Sequence, residues 1–280
     1  MEVFTSINDL KSFLKLQRAQ NKSVGLVPTM GALHPGHMSL IKTSTTENDL
    51  TIGSVFVNPV QFNNAQDLEK YPRTLEADCI MLEEAGCSAV FAPTVEEMYA
   101  EKPLMRLDFG DLENVMEGAS RPGHFNGVGI VVARFFNIVQ PDKAYFGQKD
   151  LQQVAVIKRL VKDMAFPLEL VVCETVREID GLAMSSRNSR LSKMERVSAP
   201  FIYKTLAEAK NRLLAGDSIE SVAADARTAF LKHQDFQLDY LEIVNNNSLQ
   251  PITRLGPAGS SAICTAVYLG AVRLIDNILL

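Results

Sequence analysis

The stretch Val24-Gly-Leu-Val-Pro-Thr-Met-Gly-Ala-Leu-His-Pro-Gly-His37 begins as an apolar strand, passes through a Gly/Pro turn and opens a helix predicted over 36–47. Gly31 and Gly36 carry no Cβ, so backbone N–H groups can approach an anion closely. The helix aims its unpaired N–H groups and positive dipole end at the same place. His34 and His37 lie at that end, where two imidazoles can donate hydrogen bonds to one polyphosphate. Such donors would stabilise charge on a phosphoryl group under attack. The same spacing also fits a helix cap or a surface pair, and a zinc pair lacks any further ligand at metal spacing. The Walker and dinucleotide glycine patterns are absent from this stretch, so a nucleotide bound here is held another way.

Working outward, 6–20 reads as a short amphipathic helix through Leu10, Phe13, Leu14 and Leu16. Thr51-Ile-Gly-Ser-Val-Phe-Val57 is a near-continuous apolar run, which suits a strand buried on both faces. Further helices are predicted over 75–85, 125–139 and 151–164, and strands at 89–92, 143–146 and 168–173. Strand and helix alternate throughout, which gives an α/β fold with a doubly wound, Rossmann-like parallel sheet. Ligands of such sheets sit at the carboxyl ends of the strands. His34 and His37 follow the first strand, Asn58-Pro-Val-Gln-Phe62 the second, Gly147-Gln-Lys-Asp150 the fourth, and Met184-Ser-Ser-Arg-Asn188 lies beyond the fifth.

The texture then changes. Helices are predicted over 192–214 and 218–233, and strands over 238–244, 262–269 and 271–279, with a Gly/Pro loop at 256–260. We expect an N-terminal domain at 1–176 and a smaller α+β C-terminal domain at 177–280.

The 280 residues are 46% hydrophobic, enough for a sizeable core, and 28 Lys and Arg face 33 Asp and Glu with no long block of either sign. Nucleic-acid and membrane-surface footprints are therefore missing, and an anionic substrate would need a local basic pocket. Cys79, Cys87, Cys173 and Cys264 are scattered without a Cys-x-x-Cys pair and read as reduced, packed thiols. The N-terminus lacks a basic region followed by an apolar one, and no run approaches the ~18 apolar residues of a membrane span, so a soluble, cytoplasmic protein is expected.

Lys149 can reach a polyphosphate as a point charge, and Asp150 can bind magnesium directly or through water. Asp150-Leu-Gln-Gln153 equally fits a capping box. Gln61 and Gln153 can donate and accept at once, which suits a substrate with a hydroxyl and a carboxylate. Ser185, Ser186 and Arg187 form a donor-rich loop able to wrap phosphate oxygens, or a polar linker tip. His124, ahead of a helix, can touch ligand or serve as an ordinary polar residue at the helix start. No Ser or Cys stands beside an obvious base, so attack by the substrate itself on ATP is the simpler scheme, in an adenylate-forming or nucleotidyl-transferring enzyme.

These segments together resemble the pantothenate synthetase (pantoate–β-alanine ligase) family. The resemblance runs through Pro28-Thr-Met-Gly-Ala-Leu-His-Pro-Gly-His37, Phe56-Val-Asn-Pro-Val-Gln-Phe62, Tyr71-Pro-Arg73, Ser120-Arg-Pro-Gly-His-Phe125, Phe136-Asn-Ile-Val-Gln-Pro-Asp142, Tyr145-Phe-Gly-Gln-Lys-Asp150 and Asp180-Gly-Leu-Ala-Met-Ser-Ser-Arg-Asn188. His34-x-x-His37 is similar to the HxGH signature shared with class I aminoacyl-tRNA synthetases and nucleotidylyltransferases, and 184–187 to its partner loop.

The resemblance implies that the carboxylate of (R)-pantoate attacks the α-phosphate of MgATP to give pantoyl adenylate and diphosphate. The amine of β-alanine then displaces AMP. It assigns Met30, Gly31, Ala32, Leu33, His34, Pro35, Gly36 and His37, with Gly147, Gln148, Lys149, Asp150, Val176, Met184, Ser185, Ser186 and Arg187, to the nucleotide. Val176 would act through its backbone. His37, His34, Lys149 and Arg187 would be catalytic, Gln61, Gln153 and Met30 would hold pantoate, Gln61 would also face β-alanine, and Asp150 would serve magnesium. A homodimer and a C-terminal lid are implied as well. Two other readings stay open from the residues alone: a nucleotidylyltransferase that keeps the adenylyl group on its product, and a non-catalytic nucleotide-binding regulator.

Overall fold

In the computed structural model, which describes residues 1–280, the apolar runs at Val24–Thr29 and Leu50–Val55 are strands with almost every residue buried, as strands covered on both faces must be. The first part of the chain runs β1 (Glu2–Phe4), α1 (Ile7–Arg18), β2 (Val24–Thr29), α2 (Pro35–Glu47), β3 (Leu50–Val55), α3 (Ala65–Glu69) and α4 (Leu75–Glu84). It continues through β4 (Ala89–Phe91), α5 (Val95–Met98), α6 (Met116–Ser120), α7 (His124–Val139), β5 (Lys143–Gly147), α8 (Leu151–Asp163) and β6 (Glu169–Cys173). The strands form one parallel sheet in the order β1-β4-β3-β2-β5-β6.

The strand order reverses between β2 and β5. β2 pairs with β3 from Val24↔Leu50 through Thr29↔Val55, but with β5 only at Gly25↔Lys143 and Leu26↔Ala144. This is the switch point of a doubly wound sheet, where the ligand crevice opens at the carboxyl ends. Met30 leaves β2 at that end and Gly147 closes β5 there. Val27, Ile41, Leu82, Val90 and Tyr145 are buried together beside it.

The edge strand β1 is absent from the sequence reading because three residues are too few to show a period. It pairs with β4 through Val3↔Val90.

By internal contacts the chain divides into two units, one of Met1–Gly147 and Val156–Cys173, the other of Gln148–Ala155 and Glu174–Leu280. The short turn that carries Lys149 therefore groups with the C-terminal part. That unit adds α9 (Lys193–Ser198), α10 (Phe201–Leu214), α11 (Ile219–Lys232), β7 (Phe236–Asn245), β8 (Ser261–Leu269) and β9 (Val272–Leu279). Its strands form an antiparallel sheet, β7-β8-β9, over a core that includes Leu206, Phe230, Ile263 and Val267. The single helix predicted across 192–214 is two helices, because Pro200 at their junction has no N–H to continue the ladder. No helix is long and apolar enough to cross a membrane.

Candidate active site

His34 is the N-cap of α2, and the helix starts at Pro35, one residue earlier than the sequence suggests. Its Nδ1 accepts the Gly36 N–H at 3.2 Å, and its own N–H donates to His37 Nδ1 at 3.3 Å. The ring centroids are 4.0 Å apart. With both Nδ1 atoms accepting, each neutral ring carries its proton on Nε2, so the pair presents two N–H donors from the positive end of a helix.

The turn's backbone does not form the anion cradle expected from its glycines. Gly31 N–H donates to Thr29 Oγ1 at 3.1 Å, and the Ala32 and Leu33 N–H groups donate to the Asp78 carboxylate at 3.0 and 2.8 Å. The His34 and Gly36 N–H groups are taken by the imidazoles. The imidazole Nε2 groups, not the backbone, are thus the donors this segment offers to a phosphate.

Asp78 organises the turn from α4. It is buried, and Thr74 Oγ1 also donates to it at 3.1 Å. Gly31 has φ +79°, and a Cβ there would lie 2.8 Å from Asp78 Oδ2, so glycine is needed on both counts. Sequence reading missed Asp78, whose bonded partners lie 45 and 46 positions away. The one signal was a carboxylate four residues before the buried Leu82 on a helix.

Gln61 sits in a 3-10 turn, Pro59–Gln61, beyond β3. Its Oε1 accepts from Asn58 Nδ2 at 3.0 Å, and its Nε2 donates to Met30 Sδ at 3.1 Å, so two of the three residues expected at pantoate stand together. Asn58 Nδ2 also donates to Gly127 O, and its Oδ1 accepts from Tyr99 OH at 2.9 Å. His124 Nδ1 lies 2.9 Å from Gln61 O, which makes it the protonated nitrogen, and leaves Nε2 to accept from Arg121 at 3.2 Å. A Cβ on Gly127 would lie 2.5 Å from Gln61 Cα, so a bare glycine on α7 lets this turn dock. The sequence alone does not single out Asn58 or Tyr99; His124 is an anchor of the Gln61 backbone.

In the other unit, Met184 N–H donates to Val176 O at 3.0 Å and Arg177 pairs with Ala183, so 176–184 is a hairpin that delivers the serine pair. Ser185 Oγ accepts the Arg187 N–H at 3.2 Å and opens a 3-10 turn, Ser186–Arg190. Lys149 lies in the turn Gln148–Asp150, its Nζ 3.7 Å from Asp150 Oδ1. Lys149, Ser185, Arg187 and Asn188 line one cleft with Asp276. Burial pushes the Asp276 carboxyl up, and the Arg177 guanidinium fork at 2.7 and 3.0 Å offsets this only in part. Gln153 is half-buried on the first turn of α8.

Magnesium prefers oxygen ligands, keeps several waters and is usually held by one or two carboxylates plus substrate phosphates. No three His, Cys, Asp or Glu side chains stand together as a cage, while the Asp150 side chain is 49% exposed. This donor set fits a metal that arrives on nucleotide phosphates and takes one carboxylate from the protein.

The pantoate-beta-alanine ligase family model matches residues 2–279. The pantothenate synthetase of Porphyromonas gingivalis is 49% identical over 278 residues, 99% of each chain, and that of Bacteroides thetaiotaomicron is 49% identical over 99% of this chain and 98% of its own. The crystal structure of pantothenate synthetase from Thermus thermophilus superposes with a TM-score of 0.93 at 43% identity, covering 99% of both chains. The pantoate-beta-alanine ligase of Francisella tularensis, crystallised with beta-gamma ATP and β-alanine, gives 0.81 at 36% identity over 100% of this chain and 97% of its own. A paired-imidazole helix start at the switch point of the sheet, and relatives matched from end to end, lead to one statement: the chain belongs to the pantoate–β-alanine ligase family.

Proposed function

We propose that the protein condenses (R)-pantoate with β-alanine at the expense of ATP, releasing AMP and diphosphate through a pantoyl adenylate. The observation that carries this is the His34–His37 pair, whose Nδ1 atoms are fixed by backbone N–H groups, an arrangement in which the two Nε2 groups would serve one ligand. In this reading 30–37, 147–150, Val176 and 184–187 hold the nucleotide, and Gln61, Gln153 and Met30 hold pantoate. Gln61 also faces β-alanine.

In the first step a pantoate carboxylate oxygen attacks the α-phosphorus and the bond to diphosphate breaks. Charge grows on the phosphoryl and leaving oxygens, where His34, His37, Lys149, Ser185, Ser186 and Arg187 supply hydrogen bonds and counter-charge. In-line displacement at phosphorus needs positioning and charge more than proton transfer, so the imidazoles serve as neutral donors. Magnesium held by Asp150, directly or through water, would neutralise the phosphates further. In the second step the free amine of β-alanine attacks the acyl carbon, AMP leaves with the electron pair of the C–O bond, and the amine loses its proton. The C-terminal domain at 177–280 would serve as a lid, since water would hydrolyse the mixed anhydride. A cytoplasmic homodimer belongs to the same reading.

The test is exchange of labelled diphosphate into ATP. It should need pantoate but not β-alanine, while AMP should accumulate only with both. A stable adenylated product that persists in the presence of β-alanine would favour a nucleotidylyltransferase, and binding without turnover a regulator.

A further inference from the structure

Two consecutive polar residues interrupt the apolar strand β9. Asp276 and Asn277 pair with Thr265 and Cys264 of β8, in mid-strand, and both are buried. A buried strand has no reason to carry such a pair unless each side chain is satisfied by something it holds.

Asp276 holds Arg177. Both guanidinium NH groups reach its carboxylate, one also donates to Gly181 O at 3.1 Å and the other to Asn277 O at 3.1 Å. The guanidinium lies 3.9 Å over the Tyr203 ring. Arg177 is the root of the hairpin that ends in the serine pair, so this fork sets where 184–187 emerges. Asn277 holds the other wall. Its Nδ2 donates to Gln148 O at 3.0 Å and to Lys149 O at 2.8 Å, and its Oδ1 accepts from Gln148 Nε2 at 3.3 Å. Its own N–H donates to Asp276 Oδ1 at 2.7 Å.

We propose that Asp276 and Asn277 are positioning residues for adenylation, gripping the Lys149 turn and the 184–187 loop from one strand so that both meet the same phosphates. The proposal rests on the reading of Lys149 and Arg187 as phosphate ligands. It explains why Gln148–Ala155, far from the C-terminus in sequence, groups with Glu174–Leu280 in space.

The test is a double-mutant cycle on pantoate-dependent diphosphate exchange with the full chain. Asn277→Asp keeps the shape but replaces the donating amide with a carboxylate facing two carbonyls. A shift of the turn by about 1 Å should lower kcat by on the order of 10²-fold. If Asn277 acts by placing Lys149, Asn277→Asp with Lys149→Ala should fall within about threefold of Lys149→Ala alone. Losses that multiply, or a wild-type rate for Asn277→Asp, would overturn the proposal. If Asn277→Asp does not fold, Asn277→Ser enters the same cycle. A wild-type rate for Lys149→Ala would instead remove Lys149 from the nucleotide site, a failure of the reading beneath.

Discussion

The imidazoles of His34 and His37 stand with centroids 4.0 Å apart, and each gives its Nδ1 to a backbone N–H of the same helix start. One edge of each ring therefore builds the cap, and in the proposed reaction the other carries the chemistry. Stability and rate can be separated by atom.

Replacing His37 divides the two roles. Asn reaches only where Nδ1 sits, and Gln only toward Nε2. His37→Asn should keep the melting temperature close to wild type while kcat drops by about 10²–10³-fold, the usual cost of one lost charge-stabilising donor. ATP affinity should change little. His37→Gln should melt earlier but retain more rate. Thermal melts beside steady-state kinetics check both, and equal rates for the two variants would contradict the division.

Asp78 is the pin under that cap. Asp78→Asn turns an acceptor into a donor opposite two backbone N–H groups, and leaving one buried group unpaired should cost about 1–3 kcal/mol. Urea unfolding measures it. The released turn, with Ala32 at φ 50°, should also lower kcat more than it raises the KM for ATP.

Much of this architecture was legible in the sequence. β2 through β6 and the helices α1, α2, α4, α7 and α8 declared themselves as apolar runs, turn signals and 3.6-residue patterns, which are local signals. What escaped was long-range or too short to have a period: β1, the short helices α3, α5 and α6, the break at Pro200, and polar side chains such as Asp78 and Asn277 whose partners lie far along the chain. Asp78 serves a turn 45 positions away, and Asn277 one 128 positions away. The glycines at 31 and 36 did mark the turn, but the structure gives its N–H groups to Thr29, to Asp78 and to the two imidazoles.

Gly127 decides where Gln61 stands. A methyl group there would meet Gln61 Cα and Val60 O at 2.5 Å, backbone against backbone, with no side chain able to swing aside. Gly127→Ala should destabilise by about 1–3 kcal/mol, as overpacking does, and raise the KM for pantoate more than that for ATP. An unchanged pantoate KM would detach Gln61 from pantoate.

Cys87 predicts an alkaline limb. Burial pushes its thiol up to about 11. A folded value above the unfolded ~8.5 means that its contribution is complete below ~8.5 and is lost as pH rises through the folded value. The difference in unfolding free energy between wild type and Cys87→Ala should therefore shrink between about pH 8 and pH 11. A difference that stays constant across that range would show that the fold does not resist the thiolate.

The central claim is that pantoate is activated at its carboxylate by transfer of AMP. Pantoate labelled with heavy oxygen in both carboxylate positions, turned over with ATP and β-alanine, tests this in one mass spectrum of the AMP. One labelled oxygen should appear in its phosphate, because the bond that joins acid to phosphorus is the bond that AMP takes away. AMP free of label would contradict an acyl adenylate.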